Sequence, residues 1–140
     1  MNKQFVPYAE SLELKELGFD DDCFTHFFDG EWEGIFEVET FPNRNTGFRY
    51  PKNQVSAPLW QQAFDWFRTE HGLFYSIMPE FYTTGINFNW QLRWYLPKSE
   101  WTKYIVSDGT MWYGDNGEYP TQRDAELATL RKMITITLAK

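Results

Sequence analysis

From residue 86 to residue 96 the chain alternates without a break. Ile86, Phe88, Trp90, Leu92, Trp94 and Leu96 hold the even positions, and Asn87, Asn89, Gln91, Arg93 and Tyr95 hold the odd ones. A period of two marks a strand with one face on a core and the other toward water. Strands wet on one face belong mostly to antiparallel sheets. The pattern therefore predicts that Ile86, Phe88, Trp90, Leu92 and Trp94 point inward, and that Asn87, Asn89, Gln91 and Arg93 do not.

Other segments follow from the same reasoning. Residues 8–17 read as a helix, opened by Pro7 and closed by Gly18, with Phe19 placed to pack back on the last turn. Either Ser11, Leu14 and Leu17 or Tyr8 and Leu12 supply its buried stripe, and the periodicity does not choose. Residues 23–28 and 31–39 flank Asp29-Gly30, a pair suited to the positive φ angles of a two-residue hairpin turn. Gly34 interrupts the second arm and marks a bulge. Residues 40–56, rich in Pro, Gly and Asn, read as a long loop.

Residues 57–72 form the clearest helical pattern. Ser56 or Ala57 is placed to cap it, Trp60, Ala63, Phe64 and Phe67 make an apolar face, and Gly72 ends it. Residues 73–78 read as a strand stopped by Pro79, and 100–107 and 110–114 as two strands joined at Asp108-Gly109. Residues 114–120 read as a polar turn. The chain closes with a helix over 121–138, whose start carries Thr121 and Asp124 in near capping-box spacing. Its buried side is Leu127, Ala128, Leu130, Met133, Ile134 and Leu138, and its β-branched last turn is prone to fray. The sum is an α+β fold: an antiparallel sheet of about five to six strands with about three helices packed on one face, in a single domain over residues 1–140.

Composition narrows the class. Aromatic residues make up 20% of the chain, which excludes disorder as the dominant state. Cys23 is the only cysteine, so no intramolecular disulfide forms, in keeping with a reducing compartment. No apolar run of signal-peptide or membrane-spanning length occurs, and the plain reading is a cytosolic protein.

Charge is uneven. Residues 1–40 carry 11 Asp and Glu against Lys3 and Lys15, while the whole chain nets only -7. This acidity argues against nucleic-acid binding and suits a basic protein partner. Asp20, Asp21, Asp22, Asp29, Glu31 and Glu33 are the candidate acidic surface. The loop offers a contrasting candidate: Arg44, Phe48, Arg49, Tyr50 and Lys52 interleave cations with rings, as a nucleotide or other small ligand would require.

Catalytic signatures are missing. No phosphate loop, nucleophile elbow or dinucleotide fingerprint occurs, and the reading is of a protein without catalytic residues or cofactor, an enzyme with an unrecognised site being the remote alternative. Cys23 and His26, three apart in an expected strand, would point to opposite faces and could not share a metal. Asp20, Asp21 and Asp22 lack the Gly and terminal Glu of a calcium loop, so no metal site is expected.

The stretches FVPYAESLELKELGFDDDCF (5–24), APLWQQAFDWFRTEHGL (57–73) and DAELATLRKM (124–133) resemble a group of small uncharacterised proteins carried by phages and prophages of gut bacteria. They cover about a third of the chain. The first two are specific in order and spacing; the third is an ordinary helical pattern. The resemblance implies an accessory phage or mobile-element protein acting in the host cytosol, and transfers no catalytic residue. Blocking or redirecting a host protein through the acidic surface is the function expected in that setting.

Overall fold

A computed structural model describes residues 2–32, 54–95 and 110–139. The chain divides into two compact units, one of residues 1–66 with 137–140 and one of residues 67–136. The boundary falls inside a helix. Each unit holds an antiparallel three-stranded sheet among the described residues. The α+β class and the antiparallel pairing agree with the alternation in the sequence. The strands expected in one sheet of five to six are instead divided between two sheets.

In the first unit, α1 spans Tyr8–Glu16. Pro7 is its N-cap and accepts the first helical bond from Ser11 N. At the other end Phe19 N donates to Leu14 O and Gly18 N to Lys15 O, with Gly18 at φ 97°. This is the Schellman pattern expected from Gly18-Phe19. Of the two candidate stripes, Ser11 and Leu14 are fully buried and Leu17 half-buried, while Tyr8 and Leu12 are half-buried against a cluster of Phe5, Phe27, Val55 and Ala57.

That cluster is the core under the first sheet. Strands β1 (Thr25–Phe28), β2 (Glu31–Trp32) and β3 (Gln54–Ala57) lie in the order β2-β1-β3. Asp29 and Gly30 join β1 to β2 with φ of 50° and 82°, and Phe28 pairs with Glu31 across the turn. This two-residue hairpin is the one the Asp-Gly pair called for. Phe27, Val55 and Ala57 are buried with Phe5, and Tyr8 meets Phe27 edge-on at 5.4 Å between ring centroids. The arm beyond Trp32, including the bulge expected at Gly34, lies outside the described residues.

Residues 54–56 correct the loop expectation. They are strand, paired through His26–Ser56, Phe27–Val55 and Phe28–Gln54. Val55 and Ser56 are both buried, so both faces of this strand are covered and no alternation was there to be read. Ala57 belongs to the same strand, and α2 begins only at Trp60. Its N-terminus is satisfied by Gln62, whose Oε1 accepts from Leu59 N at 2.9 Å, the return half of a capping box. The helix runs Trp60–His71, and Gly72, at φ 63°, closes it by donating to Arg68 O.

The second unit holds β4 (Phe74–Tyr82), β5 (Gly85–Tyr95), β6 (Thr110–Tyr119) and α3 (Gln122–Leu138). The sheet order is β4-β5-β6. Pro79 does not stop its strand; it sits opposite Phe88. A proline is tolerated there because β4 is an edge strand among the described residues, and its missing N–H faces away from the ladder. Residues 114–119 are likewise strand rather than turn, with a bulge between Phe88 and Trp90 absorbing the irregular sequence.

The alternation of β5 is sharpest in its middle. Trp90 and Leu92 are 3% and 0% exposed, while Arg93 is exposed and Gln91 half-buried. Phe88 and Trp94 are half-buried, and so are Asn87 and Asn89. Ile86 is exposed, contrary to expectation, because it lies one residue from the hairpin turn at Thr83-Thr84, past the end of the core. Leu96 and the expected strand 100–107 lie outside the described residues. Helix α3 starts as the Thr121–Asp124 spacing predicts: Asp124 N donates to Thr121 Oγ1 at 3.1 Å. It buries Ala125, Thr129, Leu130, Met133 and Ile134, whereas Leu127 and Ala128 are half-buried and Leu138 is exposed. The last turn stays helical.

Candidate binding surfaces

Asp20, Asp21 and Asp22 lie in the irregular segment between α1 and β1, and Asp29 and Glu31 at the β1–β2 hairpin. All five are exposed, as a surface for a partner requires. Their segment is tied down rather than loose. Gln62 Nε2 donates to Asp22 O at 2.9 Å, and Cys23 Sγ to Asp21 O at 3.4 Å. The first unit carries 12 Asp and Glu against 6 Lys and Arg, and the second 8 against 7. Acidity is thus a property of the first unit. Glu33 and the whole alternative loop site, Arg44, Phe48, Arg49, Tyr50 and Lys52, lie outside the described residues.

The reading of Cys23 and His26 needs correction. Cys23 precedes β1, after which the chain bends at Phe24 and enters the strand at Thr25. The thiol bonds the Ser56 side chain, and Ser56 is the cross-strand partner of His26. Side chains of cross-strand partners share a face. Ser56 therefore lies beside both residues, which spacing alone had sent to opposite faces. This polar cluster is not a nucleophile. Burial pushes the Cys23 thiol up to about 12, the nearby Asp21 and Asp22 charges push the same way, and the Ser56 bond only partly offsets them. A thiol so held is inert at neutral pH. Among the described residues no three His, Cys, Asp or Glu side chains come together as a metal site.

The second unit presents a different surface. Cross-strand pairing puts Phe74, Ser76, Met78, Glu80 and Tyr82 of β4 on the same face as Asn87, Asn89, Gln91 and Arg93 of β5. Tyr95 and Thr110 continue that face. The opposite face carries Trp90 and Leu92, with Tyr113 stacked on Trp90 at 5.7 Å. There Lys132 of α3 sets its ammonium 4.1 Å from the Tyr113 ring centroid. The first face is wet but not purely polar, since Phe74, Met78, Tyr82 and Tyr95 are 45–74% exposed.

Its side chains are organised. Glu80 accepts from Asn89 Nδ2 through Oε1 and from Tyr82 OH, at 2.5 Å, through Oε2. Arg93 donates to Thr110 Oγ1 at 3.3 Å. Around Arg93 the surface is hollow. A cleft of about 460 Å³ is lined by Phe74, Arg93, Trp94, Tyr95 and Thr110. A smaller one of about 140 Å³, lined by Phe74, Tyr75, Ser76, Gln91 and Arg93, shares two of those residues. Nothing in the sequence placed Phe74 beside Arg93, because the 19-residue separation is closed only by strand pairing.

No protein-family model matches the chain, and no characterised protein or solved structure is significantly similar to it. No helix among the described residues is long and apolar enough to cross a membrane.

Proposed function

We propose that this protein is a non-enzymatic accessory protein of a phage or mobile element, which binds a basic host protein in the cytosol through the acidic surface of its first unit. The observation that carries this reading is the exposure of Asp20, Asp21, Asp22, Asp29 and Glu31 within a unit of net charge -6, against -1 for the other. Complementary charge steers encounter and suppresses wrong partners. The backbone anchors from Gln62 and Cys23 hold the Asp21–Asp22 segment in place, so less ordering entropy is lost on binding.

The test is capture from a gut-bacterial lysate by the wild type and by the Asp20→Asn, Asp21→Asn, Asp22→Asn triple variant. The expected result is one host protein held by the wild type, released by salt, and associating more slowly with the variant. Screening at about 1 M salt should erase the difference, because the Debye length there is about 3 Å. A partner whose association rate at low salt is the same for both proteins would refute the acidic surface.

A further inference from the structure

We infer that the wet face of the second sheet carries a separate site for a small ligand joining a planar ring to a phosphate, a nucleoside 5′-monophosphate in chemical class. The inference stands on the paired clefts at Arg93 and is independent of the acidic surface. The two hollows have different linings and share Phe74 and Arg93. The larger has the exposed rings of Phe74 and Tyr95 in its lining, and its volume lies within the usual range for small-molecule sites. The smaller adds a hydroxyl, Ser76, and an amide, Gln91. A ring and sugar suit the first, and a phosphate suits the second.

Arg93 is the group that both compartments use. A guanidinium offers five donors in a rigid fork that fits phosphate oxygens, and its flat face also stacks on rings. Thr110 accepts one of its N–H groups, which limits its rotation before any ligand arrives. Phe74 is 47% exposed and Tyr95 74%, and large rings left open to water beside a cation are the ingredients of base stacking. One arginine favours a single phosphate over a polyphosphate. The near-neutral charge of this unit sets no strong repulsive field against an anion.

The experiment titrates adenosine 5′-monophosphate into the full-length chain by calorimetry, with backbone amide shifts recorded in parallel. The expected result is one saturable site with shifts centred on Phe74, Gln91, Arg93 and Tyr95. Arg93→Gln should weaken binding about tenfold or more, as loss of a charge-assisted bond to phosphate does. Tyr95→Ala should weaken it less, and both variants should melt like the wild type because both side chains are exposed. Adenosine and inorganic phosphate should each bind at least about tenfold more weakly than the nucleotide, each using one compartment. The inference is overturned by no saturation up to about 5 mM nucleotide, which corresponds to a binding free energy no better than about -3 kcal/mol. It is equally overturned by undiminished affinity in Arg93→Gln, or by inorganic phosphate binding as tightly as the nucleotide.

Discussion

The two sheets have three strands each among the described residues, yet they solve different problems. In the first, strands of two to four residues carry Thr25, His26, Phe27, Val55, Ser56 and Ala57, all buried. Both faces are covered, and the hydrogen-bonding side chains on them, such as Ser56 beside Cys23, must find partners inside. In the second, strands of nine to eleven residues bury one face around Trp90 and Leu92 and leave the other in water. Short covered strands make a core. Long half-wet strands make a display surface, whose side chains are fixed by the pleat and free of core duty.

The strongest way to break this comparison is to remove rings. Phe67→Ala and Phe64→Ala in α2, and Phe27→Ala in β1, remove side chains that are 0%, 2% and 8% exposed. Each should lower stability by about 3–5 kcal/mol, read as a fall in denaturant midpoint. Tyr95→Ala, at a position 74% exposed on the wet face of the second sheet, should change stability by no more than about 0.5 kcal/mol. Equal losses at Phe27 and Tyr95 would mean that the second sheet is no display surface.

The buried thiol supplies the next test. Its folded pKa lies above the ordinary 9.0, so the neutral form is favoured in the native state. The contribution is therefore intact below about pH 9 and is lost as pH rises toward 12, while the unfolded chain releases its proton first. Subtracting the pH profile of Cys23→Ala from that of the wild type isolates this contribution. The same burial should keep Cys23 unreactive to alkylation at pH 8 until the chain is unfolded, and rapid labelling of the native protein would show that the first sheet is open.

Smaller effects sharpen the picture. Gln62→Ala removes the acceptor for Leu59 N and the donor to Asp22 O, and should cost about 0.5–2 kcal/mol. Gln61→Ala loses only a surface bond to Asp65 and should be near neutral. Thermal melts of the two variants separate them. Ile86→Thr, at the exposed tip of β5, should shift stability by no more than about 0.5 kcal/mol despite lying on the apolar register.

These outcomes also show what was legible in the chain. Local devices were readable because each needs only neighbours: the Asp29-Gly30 hairpin, the Gly18-Phe19 helix end, the Thr121–Asp124 start. Gln61 and Gln62 look alike in sequence, and only the fold assigns one of them to capping, since its second partner lies 40 residues away. Residues 54–56 escaped notice because a strand covered on both faces has no period. Residues 114–119 escaped because strand pairing overrode a turn-like composition. Arg93 was readable as a water-facing residue, but its cleft was not, because Phe74 and Thr110 reach it only through pairing with β5.

Pro79 has one further consequence, for the company the protein keeps. Among the described residues β4 is an edge strand, and a long edge strand with exposed apolar side chains, here Phe74, Met78 and Phe81, is a template on which another copy can add a strand. A proline in the middle of that edge withholds a donor from any incoming ladder, and Glu80 beside it adds a charge that would be stacked against its own copy. The display face can therefore remain rich in rings while its border is kept from polymerising. Replacing Pro79 by Val should leave the monomer folded but shorten the time to aggregation at high concentration, a defect of solubility and not of stability.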